Sequence, residues 1–129
     1  MPPRSGSPAP EPRLSNNYAA VLANLRRFEE AKSLLRKTIP VAQRVLGEGD
    51  STTLRMRKCY AMWLVVSNGA TLGDLREALT TLEDTTRTAR RVLGGAHPLT
   101  VNIEGCLRDT RELSARETGG ARAPVSTAN

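Results

Sequence analysis

The chain has 129 residues, which is enough for one compact domain or a short repeat array. Lys and Arg total 19 against 13 Asp and Glu, so the net charge is +6, and only 3% of the residues are aromatic. This scarcity argues against a nucleic-acid platform built from stacked aromatic side chains. No apolar run is long enough to span a membrane, the N-terminus lacks a secretory signal pattern, and two cysteines are too few for a disulfide framework or a zinc site. We therefore expect a cytoplasmic protein without cofactors and with no membrane partner.

The two ends of the chain differ in composition from its middle. Residues 1–13 are rich in proline and residues 117–129 in small and polar side chains, so we predict that both are disordered tails. Between them, apolar residues recur at spacings of three and four, which indicates amphipathic helices, and no useful stretch alternates with period two. The sequence predicts an all-α domain at 14–116, with helices at roughly 14–25, 27–46, 51–67, 72–93 and 98–116.

Glycines, prolines and capping residues separate these helices. Gly47 ends one predicted helix, and Gly94 ends another. Thr71 and Asp74 have the spacing of a capping box. Pro98 falls in a first helical turn, where its missing N–H costs little.

The chain also repeats itself. Residues 44–47 read Arg-Val-Leu-Gly and recur at 91–94, an offset of 47, whereas Tyr18-Ala19 recurs as Tyr60-Ala61, an offset of 42. A helix-pair unit of about 42 residues is typical of an α-solenoid. Small residues at equivalent helix positions predict close approach of the paired helices; they are Ala19, Ala31, Ala61 and Ala78.

Three segments in register carry a family resemblance. Asn16-Asn17-Tyr18-Ala19, Arg27-Phe28-Glu29-Glu30-Ala31 and the linker from Val92 to Thr100 resemble the kinesin-light-chain type of tetratricopeptide repeat. The resemblance implies stacked antiparallel helix hairpins, about two and a half repeats, and a non-catalytic adaptor or scaffold that binds proteins. No heptads for joining a motor heavy chain are present, so we expect an adaptor-like repeat protein and not a motor subunit.

Candidate catalytic residues are few. His97 is the only histidine, and the resemblance gives it a structural role in a linker. Cys59 and Cys106 occupy equivalent positions, and we interpret both as packing residues. Phosphate-binding glycine loops and nucleophile-elbow motifs are absent from the sequence. We do not expect an enzyme.

The resemblance further implies that the first helix of each pair lines a concave groove. Asn can bond a partner's backbone whatever its side chains, and Arg and Lys select carboxylates. We therefore expect a protein or peptide partner of acidic or mixed charge. The predicted peptide-binding residues are Asn16, Asn17, Ala20, Asn24, Arg55, Lys58, Met62 and Asn102, and Arg13, Val65 and Asp109 map onto the same face.

Two alternatives remain at this point. The basic clusters at 26–27, 55–58 and 87–91 would suit a nucleic-acid-associated helical repeat, although we do not expect nucleic acid as the partner. The chain would also suit the end of a longer repeat array. A solenoid needs about three repeats to bury its stacked faces, so either the last helix acts as a polar cap or the chain associates with itself or a partner.

Overall fold

The fold is all-α, as predicted. A computed structural model describes residues 11–67 and 69–119, and this part of the chain contains no strand. Residues 1–10 and 120–129, which belong to the predicted tails at 1–13 and 117–129, lie outside the described residues, as does Asn68 between the third and fourth predicted helices. The five helices are α1 (Pro12–Asn24), α2 (Phe28–Val45), α3 (Ser51–Val66), α4 (Leu72–Leu93) and α5 (Pro98–Gly119).

Two helix boundaries differ from the prediction by more than one residue. Helix α1 begins at Pro12, inside the predicted tail, because proline suits the first position of a helix and the Glu11 carboxylate accepts a hydrogen bond from the Leu14 N–H at 2.8 Å. Helix α5 continues to Gly119, three residues past the expected end. Pro12 therefore belongs to a helix, contrary to the prediction.

The two linkers between hairpins end and begin helices in the same way. Gly47 and Gly94 follow α2 and α4 with φ of 99° and 93°, a backbone conformation that favours glycine. Asp50 then caps α3 by accepting from the Thr52 N–H at 2.8 Å, and His97 caps α5 through Nδ1, which accepts from the Leu99 N–H at 3.0 Å. The structural role expected for His97 is thus observed.

The turn within the second hairpin also matches the expectation. The Thr71 hydroxyl accepts from the Asp74 N–H at 3.1 Å, while the Asp74 carboxylate accepts from the Thr71 N–H at 2.9 Å. This reciprocal pair is the predicted capping box.

The core lies between two hairpins and a fifth helix. Helix α1 packs on α2 and α3 on α4, and α2 and α4 then pack on α3 and α5 respectively. The four predicted alanines are fully buried where these helices approach one another. One hydrogen bond repeats at both junctions between hairpins: Thr53 donates to the Ala42 carbonyl, and Thr100 to the Ala89 carbonyl, each at 3.4 Å.

The stack is curved. Helix α3 contacts both α1 and α5, whereas α2 and α4 do not contact each other within the described helices. The odd-numbered helices therefore lie on the inner side of the curve. We call their shared surface the concave face.

Candidate functional site

The concave face presents equivalent positions of three helices side by side. The offsets of 42 and 47 residues align α1, α3 and α5, so each position of the repeat forms a row across the face. The five rows are Arg13, Arg55 and Asn102; Asn16, Lys58 and Gly105; Asn17, Cys59 and Cys106; Ala20, Met62 and Asp109; and Asn24, Val66 and Leu113.

Four of these residues meet in one cleft between α1 and α3. Arg13, Asn16, Asn17 and Arg55 line a cleft of 310 Å³, together with Ser51 and Thr52 at the start of α3. We call it the α1–α3 cleft. Three of the predicted site residues, Asn16, Asn17 and Arg55, are therefore brought together.

Several polar groups of the α1–α3 cleft have no side-chain partner among the described residues. Both arginines are exposed, and neither forms a side-chain hydrogen bond or ion pair with another residue of the described ranges. Asn16 Oδ1 is buried and has no hydrogen-bond partner there. Unpaired guanidinium groups beside amide groups can bind a carboxylate and a peptide backbone at the same time.

Sequence reasoning missed Ser51 and Thr52. The local sequence pattern predicts only a helix start at these residues, and they do occupy the first turn of α3 beside the capping Asp50. Their proximity to α1 comes from the packing of the two hairpins, which no local pattern encodes. The capping signal at 50–52 is the only local feature of the sequence that points to the α3 side of the cleft.

Lys58 and Asn102 lie outside the α1–α3 cleft. Lys58 Nζ donates a hydrogen bond to Asn102 Oδ1 at 2.9 Å, which links α3 to α5. Lys58 is half-buried, whereas Asn102 remains exposed. These two predicted peptide-binding residues are therefore paired with each other, and a partner that used either would have to replace this bond.

The remaining predicted residues divide by exposure. Ala20 and Asn24 are exposed on α1, and Asp109 is exposed on α5. Met62 and Val65 are half-buried and pack against the hydrophobic core. Met62 and Val65 therefore contribute to the packing of the core as well as to the predicted groove.

The two cysteines lie in the third row, and both are half-buried. Burial raises the pKa of Cys59, and Lys58 and Arg55 oppose that shift more weakly. Burial also raises the pKa of Cys106. Raised pKa values keep both thiols protonated at neutral pH, which disfavours a nucleophilic role.

The basic clusters are partly neutralised within the fold. Arg57 binds Asp84 at 2.6 Å, Arg87 binds the same carboxylate at 3.2 Å, and Arg90 binds Glu104. A larger cleft of 730 Å³ between α4 and α5 is lined by four arginines, but Arg90 and Arg111 there are paired with glutamates. The α1–α3 cleft is therefore the better candidate for binding a partner's carboxylate.

Other site types find little support in the described ranges. No group of three or more His, Cys, Asp or Glu side chains there could hold a metal ion. None of the helices has the length and apolar composition needed to cross a bilayer.

Comparison with known families bears directly on α1 and α2. Residues 15–51 match the family model described as the tetratricopeptide repeat, a range that covers the first hairpin and the linker to α3. Neither the curated proteins nor the solved structures contain a match to this chain. The match supports a tetratricopeptide-repeat protein, and repeats of this kind generally mediate protein–protein interaction.

Proposed function

We propose that this tetratricopeptide-repeat chain is a non-catalytic adaptor or scaffold that binds a peptide segment of a partner protein on its concave face. The observation that carries the proposal is the α1–α3 cleft, where Arg13 and Arg55 have no side-chain partner among the described residues and lie beside the amides of Asn16 and Asn17. The cleft has the dimensions of a side-chain site and not of an extended groove.

The chemistry of the cleft favours a segment with at least one carboxylate. Two guanidinium groups can bind a carboxylate of Asp, Glu or a chain terminus, and Asn17 can pair with the peptide backbone next to it. Asp109, on α5 of the same face, would repel an acidic continuation and favour a basic or neutral one. A segment of mixed charge, acidic towards α1 and neutral or basic towards α5, therefore fits best.

The finer family assignment and the cellular location belong to this proposal as well. The kinesin-light-chain type is supported by the repeat segments at 16–19, 27–31 and 92–100. A cytoplasmic location is supported by the intracellular use of most tetratricopeptide repeats. The chain would then present cargo or a signalling partner to another protein. It would not itself perform chemistry.

A peptide selection tests this function. A library of random peptides displayed on phage is panned against the whole chain, and selected peptides are measured by fluorescence anisotropy. Native protein should select peptides with a recurring Asp or Glu, and Arg55→Glu should weaken their binding by about tenfold or more, because a carboxylate then faces a carboxylate. Asn17→Ala should cause a smaller loss.

Arg76→Glu is the matched control. Arg76 is an exposed arginine on α4, outside the concave face, and the same change of charge there should leave binding unchanged. Equal losses for both variants would show a long-range charge effect and contradict the cleft. If duplex DNA of arbitrary sequence binds instead, with an affinity that falls steeply with salt, the nucleic-acid alternative replaces the proposal.

A further inference from the structure

A row of large apolar side chains lies uncovered along α1 and its C-cap residue, Leu25. Leu14, Tyr18, Val21 and Leu25 are each between 51% and 68% exposed. Steps of four, three and four residues place them on one side of the helix. We call them the α1 stripe. It is distinct from the concave face, to which α1 contributes Arg13, Asn16, Asn17, Ala20 and Asn24.

The repeat shows what normally covers this side of an odd-numbered helix. The positions 42 residues later are Met56, Tyr60, Trp63 and Ser67, and all of them are buried or half-buried. Helix α2 covers them: Arg36 donates to the Tyr60 hydroxyl at 3.0 Å, and Lys32 donates to the Ser67 hydroxyl at 3.1 Å. The α1 stripe is therefore a stacking face that lacks its helix among the described residues.

The opposite end of the stack cannot supply that helix in a second copy. Ala61 and Leu64 of α3 are fully buried, but the positions 47 residues later on α5 are the exposed Arg108 and Arg111. Stacking this end on another copy's α1 stripe would desolvate guanidinium groups against apolar side chains, at a high cost in free energy. Head-to-tail association is thus disfavoured, whereas the α1 stripe of a second copy offers a matching apolar face.

We propose that two copies of this chain associate through their α1 stripes, with the two α1 helices antiparallel about a two-fold axis. The spacing of the stripe reads the same in both directions, so Leu14 meets Leu25 of the second copy, and Tyr18 meets Val21. The exposed Glu11 borders the stripe at its start, and the exposed Arg26 lies just beyond its end, whereas Arg27 is already paired with Glu30. In the antiparallel arrangement the Glu11 carboxylate lies near Arg26 of the other copy, which adds charge complementarity.

This association leaves the concave face free. A dimer would present two α1–α3 clefts, and its formation does not depend on the proposed peptide binding. Failure of either proposal can therefore be distinguished from failure of the other.

Sedimentation equilibrium of the whole chain tests the interface. Over about a hundredfold range of concentration, the average mass should rise from 14.0 kDa towards twice that value. Leu14→Lys and Leu25→Glu should each remain monomeric where the native chain dimerises, since each places a charge against an apolar side chain. Circular dichroism confirms that the variants keep their helices, which is expected because both residues are exposed.

Mixing the two variants determines the orientation. In the antiparallel arrangement the introduced lysine faces the introduced glutamate, and the other end of the interface keeps its native pair of leucines, so an equimolar mixture should dimerise again. Parallel helices would leave both charges unpaired, and absence of rescue would overturn the proposal.

A control and two further outcomes complete the test. Val45→Lys changes an exposed valine on α2, outside the stripe, and should dimerise like the native chain. Loss of dimers in this variant would indicate unspecific association and overturn the proposed interface. A native chain that stays monomeric at every concentration would overturn it as well, leaving the stripe to a helix of another protein.

Discussion

The two ends of the helix stack differ in how they present the faces that no neighbouring helix covers. Helix α1 has no even-numbered helix before it in the described chain, and helix α5 has none after it. The open side of α1 carries Leu14, Tyr18, Val21 and Leu25, whereas the open side of α5 carries Arg108 and Arg111. One end is therefore suited to contact protein and the other to contact water.

The repeat explains why this difference is informative. At the position of Leu22 in α1 and Leu64 in α3, where a hairpin partner covers the helix, α5 has Arg111. A charged residue at this position is compatible with folding only if the face stays solvated. The charges on α5 support the expectation that this helix acts as a polar cap, and no comparable charges protect α1.

The largest effect is expected at this position. Leu64→Ala should lower the free energy of unfolding by about 2–5 kcal/mol, because it opens a cavity in the core. Arg111→Ala, the same position on the uncovered face, should change it by less than about 0.5 kcal/mol. Urea denaturation followed by circular dichroism measures both. Equal effects would mean that the open side of α5 is not a solvated face.

A second pair of variants compares covered and uncovered tyrosines. The Tyr60 hydroxyl donates to Glu77 at 2.6 Å and accepts from Arg36 at 3.0 Å, so it joins α2, α3 and α4. Tyr60→Phe should cost about 1 kcal/mol, since both bonds are lost.

Tyr18→Phe is the control at the equivalent position. Tyr18 is exposed and makes no hydrogen bond through its side chain within the described part of the chain. The Tyr18→Phe variant should therefore have the same midpoint of unfolding in urea as the native chain. If Tyr18→Phe lowered the free energy of unfolding as much as Tyr60→Phe, Tyr18 could not lie on an uncovered face.

The smallest effect is expected from acid. The hydrogen bond from Arg57 holds the pKa of Asp84 below its ordinary value, and Arg87 adds to this more weakly. A lowered pKa contributes stability above the unfolded-state value of about 3.9, and this contribution is lost as the pH falls through the folded-state value. The effect is small because the Asp84 side chain is about half exposed, which screens the pair.

Asp84→Asn isolates this contribution. Its unfolding free energy should depend less steeply on pH than that of the native chain below about pH 4. Identical pH profiles would show that the link between α3 and α4 is screened by water. At the equivalent position of α5 the charges are reversed. Glu104 replaces Arg57 there and forms an ion pair with Arg90 of α4.

Most of the fold was predictable because its signals are local. The spacing of apolar residues, the glycines at 47 and 94 and the capping box at 71–74 each act within one turn of a helix. The sequence predicts the start of α1 two residues late, because the proline-rich composition up to Pro12 is typical of a non-helical tail, although proline is well suited to a first helical turn.

The candidate site was predictable only in part. The family resemblance placed Asn16, Asn17 and Arg55 on one face, and the structure brings them together in a cleft. It did not reveal that Lys58 binds Asn102 or that Ser51 and Thr52 complete the cleft, since these contacts join residues of different helices. Whether the cleft binds a peptide stays a prediction.

The sequence by itself determined the class of fold, the helix-pair repeat and the small residues that let helices approach closely, because periodicity and capping depend on neighbours along the chain. Only the tertiary structure decided which faces are covered. Tyr18 and Tyr60 occupy the same position of the repeat, yet one is exposed and the other is buried beneath α2. Burial depends on which helix lies across a face, and that is a property of the packed stack and not of the residues along any one helix.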